Sequence, residues 1–395
     1  MTLLNRRSFL GCATTAPLLG SDYPLREHGF WDYTTPVAGG MEAYSREDYD
    51  SLLDDMARAG MNSLLICPRW STTGYRSRLP FLDQLASNRV IASGNELLRW
   101  VLREARKRKI KTWLSAYVCA FDVAKYGLKP YRTMNVDIPG QPTMVVGTYD
   151  LDTPGVEERA VEIFVDLVEQ FPMVDGLDVE VEDSGVELPH RVPLYNKWAE
   201  ENKRPPFERL GHPISPRLYD IPAWRDYTTH RRIQLMRAIE KGVRAKGFRG
   251  EMAMICETLR NAYSTTMEVN LRQYHAQLPH WIAVTYEYDK SSRRYGMMDV
   301  CIDVPKRDGC TVYYLPRGVM TWGRWPLPIA LEESWSRDVE DVLRFRPDGL
   351  WWFGCGSVND GAHVSVKKLQ ELGYKDGRAA RLALLKKVRG LRVAS

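Results

Sequence analysis

The chain has 395 residues, 44% of them hydrophobic and 27% charged, which excludes a disordered, fibrous or disulfide-built miniature protein and leaves enough apolar side chains for a large core. Fifty-five Lys and Arg against 50 Asp and Glu give a net charge of +5, and removing Arg6 and Arg7 with a leader brings it to +3. Near balance of this kind excludes a nucleic-acid footprint, because basic runs such as Arg103 to Lys111 are interleaved with apolar residues at helical spacing.

Asn5-Arg6-Arg7-Ser8-Phe9-Leu10 lies near the start, a modestly apolar stretch runs on through Leu19, and no acid precedes Asp22. Paired arginines directly before Phe-Leu form a receptor-read address, and residues 1–20 resemble a bacterial twin-arginine export signal. The expectation is a periplasmic or secreted protein with a mature part over 21–395. Elsewhere no run reaches the ~18 apolar residues of a membrane span, so no membrane association is expected after signal removal. Twin-arginine export carries folded proteins, so the six cysteines beyond the leader need not pair. None forms a Cys-x-x-Cys motif, a structural zinc site is not expected, and Cys301 with Cys310 is the pair nearest in sequence.

In chain order, a strand over His28–Tyr33 leads to a helix over Arg46–Ala59, started by Ser45 and stopped by Gly60. Strand two covers Asn62–Pro68 and is followed by a helix over Asn95–Lys109. Strand three is read over Lys111–Phe121, and its helix over Pro154–Phe171 opens with a Thr153 cap before proline. Strand four, Val174–Glu182, is separated by a long segment from the helix Ala223–Lys246, which Gly247 ends. The last four strands are Glu251–Thr258, Trp281–Tyr288, Thr311–Leu315 and Gly349–Cys355, with a helix over Leu331–Phe345 between the final two.

Eight near-continuous apolar strands alternating with helices predict a (β/α)8 TIM barrel, built as a single domain with a long insertion after strand four. The competing doubly wound sheet lacks a Gly-x-Gly-x-x-Gly after its first strand. The insertion, about 184–220, carries six prolines and is expected to be a binding loop or lid over the barrel mouth.

Reacting groups of such barrels sit at the carboxyl ends of strands. In Asp175-Gly176-Leu177-Asp178-Val179-Glu180-Val181-Glu182, alternation turns Leu177, Val179 and Val181 toward the helices and puts Asp178, Glu180 and Glu182 in one inward file. Crowded carboxylates raise at least one pKa, which is what a general acid needs. Glu257 ends strand five. On strand six, Ile282 and Val284 are read as outward and Ala283, Thr285, Glu287 and Asp289 as inward. A carboxylate pair across the mouth is the minimum apparatus for glycoside cleavage, one acid of the strand-four file with Glu287, or else Glu257, as its partner.

Twelve tryptophans supply stacking faces for sugar rings. Trp70, Trp322 and Trp352, with Arg69, Arg317, Tyr286 and Asp289, are the expected substrate contacts, and the arginines suit an acidic sugar. The histidines are scattered, without His-x-His or His-Glu-x-x-His, so no cofactor or metal is called for. Asp178, Glu180, Glu182, Glu257 and Glu287 nevertheless form an oxygen set for a divalent-metal isomerase or lyase acting on a sugar or sugar acid. A non-catalytic carbohydrate-binding barrel is the third reading.

The strand-four segment resembles the Asp-Gly-x-Asp-x-Asp-x-Glu signature of glycoside hydrolase family 18, the chitinase-like barrels. That resemblance implies a barrel with Glu182 as general acid. Glu180 stands where the family has the aspartate that assists a substrate acetamide, and Tyr286-Glu287-Tyr288-Asp289 faintly echoes its strand-six Met-x-Tyr-Asp. More broadly, the chain is similar to the glycosyl-hydrolase-like barrels that bacteria export. The implied partner is an oligo- or polysaccharide.

Overall fold

A computed structural model describes residues 24–32, 45–68, 73, 75–82, 95–122, 129–136, 144–181, 187–213, 218–260, 265–267, 269–286, 299–316, 318–319, 331–355, 366–391 and 393. Residues 1–20, expected to be an export signal, lie outside them. Eight parallel strands form the barrel: β1 (Glu27–Asp32), β2 (Ser63–Ile66), β3 (Lys111–Tyr117), β7 (Gly176–Glu180), β8 (Glu251–Arg260), β10 (Ile282–Tyr286), β11 (Thr311–Leu315) and β12 (Gly349–Phe353). They pair in that order, β8 with β10 and β12 back to β1, so the ring closes as the alternation predicts. The main helices around it are α1 (Arg46–Arg58), α2 (Glu96–Lys107), α3 (Val156–Gln170), α4 (Arg191–Glu201), α5 (Pro222–Ala245) and α6 (Leu271–Gln277). Then come the one-turn α7 (Val304–Arg307), α8 (Leu331–Phe345), α9 (Val366–Glu371) and α10 (Gly377–Val388).

Local chemistry explains the element ends. Ser45 Oγ accepts from the Asp48 N–H (3.2 Å) while the Ser45 N–H donates to the Asp48 carboxylate (2.8 Å), a reciprocal cap that starts α1. Gly60 and Gly247 take φ of 74° and 87°, the left-handed turn that releases α1 and α5 into the next strands. The Thr153 cap is not used: Thr153 Oγ donates to Asp150 instead, and α3 starts two residues later than read, at Val156 behind Gly155.

Two further departures come from the connections. Lys111–Phe121 is not one strand. β3 stops at Tyr117, and β4 (Ala120–Asp122), β5 (Arg132–Val136) and β6 (Met144–Thr148) form a separate antiparallel sheet ordered β4-β6-β5. After β8, its last residues pair antiparallel with β9 (Thr265–Met267). The expected loop after strand four holds α4 and two 3-10 turns. Tyr195, Trp198, Tyr219, Trp224 and Tyr227 form a small aromatic core there, separate from that of the barrel.

Register fixes which residues face the axis. Trp351 lies beside Gly29, Gly29 beside Ser63, Ser63 beside Lys111, Trp113 beside Gly176, Asp178 beside Ala253, Ala253 beside Ile282, Val284 beside Tyr313 and Tyr313 beside Gly349. Register neighbours and alternate residues of one strand share a side, so this set is one face. Trp113, Tyr313 and Trp351 meet across the ring at 4.9–6.3 Å between centroids, which makes it the inner one. Glycine clears space for them: a Cβ on Gly176 would lie 2.2 Å from Trp113 Cε3, and one on Gly349 would lie 2.6 Å from Tyr313 Cδ1. Beneath these rings Glu27, fully buried, accepts from Ser63 Oγ (2.6 Å), Trp113 Nε1 (2.8 Å) and Lys111 Nζ (3.1 Å), which satisfies a carboxylate that would otherwise be costly to bury.

Candidate active site

β7 carries its hydrophobic side chains outward and its acids inward. Leu177 and Val179 are buried under the helices, while Asp178 and Glu180 lie level with Ser115 and Tyr117 of β3 on the inner face. Asp178 is 0% exposed. Its Oδ2 accepts from Ser115 Oγ at 2.9 Å, and its Oδ1 has no hydrogen-bond partner among the described residues. Burial pushes its pKa up to about 7, against the opposing pull of the Ser115 hydroxyl, so the carboxyl keeps its proton close to neutral pH. Glu180, one inward step further toward the mouth, is buried as well. Glu182, the last acid of the file, lies outside the described residues.

Strand six is corrected. The alternation predicts Ala283 and Thr285 inward, but Ile282 pairs with Ala253 and Val284 with both Ile255 and Tyr313, so Ile282 and Val284 face the axis. Both faces of a barrel strand are apolar, and Ala283, Thr285, Ile282 and Val284 are all buried, so polarity carried no information about side. Position 286 therefore falls in the inward phase, and position 257 pairs with it in step with Ala253 and Ile255. Glu287 and Asp289 lie outside the described residues.

Trp352 is also corrected. Of the Trp351-Trp352 pair, Trp351 points inward, and its indole N–H donates to Ser63 Oγ (2.9 Å). Trp352 faces the helices, fully buried, and donates to His28 Nε2 (3.0 Å), so it has no surface to offer a sugar. Burial holds His28 down to about 3, hence neutral and able to accept. Arg69, Trp70, Arg317 and Trp322 lie outside the described residues.

One acid escaped the sequence reading. Asp32, at the carboxyl end of β1, is fully buried and accepts from Tyr49 Oη of α1 (2.6 Å) and from the Cys355 thiol (3.7 Å). Burial pushes it up to about 6. It stands behind the strand, between barrel and helix. Its sequence signal was an acid at the next-to-last position of the strand expected over His28–Tyr33. Cys67, Cys119, Cys256, Cys301, Cys310 and Cys355 are all buried and unbridged. Among the described residues no group of three or more His, Cys, Asp or Glu is placed to hold a metal ion. No helix there is long and apolar enough to cross a membrane.

No protein-family model matches the chain, and no curated protein matches it in sequence. Solved structures do match in fold. A GH138 enzyme targeting pectin rhamnogalacturonan II aligns over 94% of this chain at 14% identity and a TM-score of 0.50. The β-galactosidase of the psychrophilic Marinomonas ef1 aligns over 91% at 12% and 0.58. The chain spans only 49% and 59% of those two proteins. The PgaB (BpsB) glycoside hydrolase domain of Bordetella bronchiseptica aligns over 85% of this chain and 95% of its own length, at 13% identity and a TM-score of 0.56. At these identities the likeness is one of architecture: the chain folds as a (β/α)8 barrel of the kind that glycoside hydrolases use.

Proposed function

We propose that the protein is an exported glycoside hydrolase that cleaves an oligo- or polysaccharide by carboxylate acid/base catalysis. The observation that carries this reading is Asp178: a fully buried inward carboxyl with one unpartnered oxygen, held protonated near neutral pH, directly below a second inward acid. In this scheme Glu182 protonates the leaving oxygen. Glu180 crowds it from below and keeps its proton in place, while Asp178, itself protonated and fixed by the Ser115 hydroxyl, orients the file from beneath. The second carboxylate is assigned to Glu257, because position 257 has the inward phase and the strand-six phase that pointed to Glu287 is reversed. A separation of about 5 Å between the two acting carboxyls would make the enzyme retaining, and roughly 6.5–9.5 Å would make it inverting. Arg69, Trp70, Tyr286, Arg317 and Trp322 are assigned to the sugar as residues in or just after strands, while Asp289 shares the reversed phase of Glu287 and is not assigned to it.

Likeness in fold to a GH138 enzyme targeting pectin rhamnogalacturonan II and to a glycoside hydrolase domain supports the substrate class. Export rests on the Arg6-Arg7 motif; changing both arginines to lysine should retain the precursor in the cytoplasm, and normal export of that variant would refute it. The function is tested on aryl glycosides and polysaccharides, with and without EDTA. Hydrolysis that survives the chelator and is lost in Glu182→Gln supports the reading. Turnover that only EDTA abolishes contradicts it.

A further inference from the structure

The helix that follows β7 is gripped at its start. α4 begins at Arg191, and a cation in the first turn of a helix opposes the helix dipole; no acid in that turn offsets it. Arg191 is nevertheless fully buried. Its Nε donates to Asp152 Oδ2 at 2.9 Å, lies 3.7 Å from Asp150, and its guanidinium sits 5.1 Å over the Trp224 ring. Asp152 is itself a hub: Tyr227 Oη donates to it at 2.9 Å and Arg231 Nε at 2.8 Å, both from α5. Asp150 adds His190, Nε2 to carboxylate 3.0 Å. Both aspartates sit between β6 and α3, in the connection that follows barrel strand three.

A buried ion network adds little net stability over an apolar packing of the same volume, but it tolerates few geometries. This one joins the connection after strand three to the connection after strand four, and it lies against the small aromatic core rather than within the barrel core. Such a clasp fixes position more than it resists unfolding.

We propose that Arg191 is a positioning residue: by gripping Asp152 it fixes where the chain leaving the carboxylate strand β7 lands, and so aligns the acids of that strand for turnover. The insertion after strand four is then a fixed wall of the mouth. The inference rests on the hydrolase reading for its kinetic part and on the clasp alone for its structural part.

The test combines hydrogen exchange with kinetics on Arg191→Gln, Arg191→Lys and the control Arg204→Gln, whose half-exposed pair with Asp226 belongs to the same region. Arg191→Gln should raise exchange over residues 187–201 about tenfold and leave Glu251–Arg260 and Thr311–Leu315 protected. On the 4-nitrophenyl glycoside that the wild type cleaves, kcat should fall about tenfold or more with KM within about threefold, since small misplacement of a reacting group costs rate rather than binding. Arg191→Lys should recover part of that loss, and the control should match wild type. If Arg191→Gln does not fold, Asp152→Asn supplies the same comparison. Unchanged exchange over 187–201, or raised exchange with unchanged kcat, overturns the proposal. If the wild type cleaves no glycoside, the hydrolase reading has failed, and exchange alone decides whether the clasp holds.

Discussion

Replacing Asp178 by Asn isolates the energetic consequence of a buried inward carboxyl. Below about pH 4 the aspartate is protonated in both folded and unfolded chains, and it imposes no pH dependence. As pH rises, the unfolded chain releases this proton near 3.8 while the folded barrel holds it to about 7. Stability contributed by the protonated form is therefore lost progressively between those two values, as the sign of a raised carboxyl pKa requires. At ~1.36 kcal/mol per pH unit, the loss totals about 4 kcal/mol. Asn cannot titrate, fits the same volume and keeps an oxygen for Ser115. The unfolding free energy of Asp178→Asn minus that of wild type should thus climb from about pH 4 and level off above about pH 7, some 4 kcal/mol in favour of the variant. Taking the difference is essential. Asp32, raised to about 6, weakens the wild type over part of the same window. His28, held down to about 3, acts in the opposite direction. Both are common to the two proteins and cancel. Urea titrations followed by tryptophan fluorescence at unit pH steps supply the measurement. A flat difference, or one that falls with pH, would refute the burial argument on which the site depends.

Four other outcomes follow from the same geometry. Ser115→Ala removes the hydroxyl donor to Asp178, so its carboxyl should titrate higher still and the pH-dependent loss of stability should extend further into the alkaline range, as carboxylate infrared bands would show. Gly176→Ala forces a methyl group against the Trp113 ring, itself held by Glu27; it should cost about 1–3 kcal/mol or more in chemical denaturation, and a neutral result would mean the ring is free to move. Trp352→Phe should lower stability by about 1–3 kcal/mol through the stranded His28 nitrogen and leave KM unchanged; a raised KM at unchanged stability would return Trp352 to the mouth. Glu257→Gln should reduce kcat far more than Glu287→Gln, and the reverse order would reinstate Glu287 as the partner.

The barrel strands were legible because most are short, largely apolar runs set between helical stretches, and the alternation around Asp178 and Glu180 showed which side of β7 was acidic. The same logic failed on β10, where Ile282, Ala283, Val284 and Thr285 are all buried and no polar residue marks a face. Only pairing with β8 and β11 settles it, and pairing is not a local property. β3 was overextended because Lys111 to Phe121 reads as one run, with nothing to show that the chain changes partner after Tyr117. Prolines around Tyr195 and Trp198 masked a helix whose i, i+3 aromatics were its true signal. The Arg191–Asp152 contact joins residues 39 apart in sequence, and no spacing rule anticipates it.

The decisive measurement is hydrolysis of a panel of aryl glycosides and polysaccharides by wild type and Glu182→Gln, in EDTA. Wild type should cleave at least one of them, and the folded variant should do so about a thousandfold more slowly, the scale of losing a positioned general acid. Equal rates for the two proteins would contradict that role for Glu182.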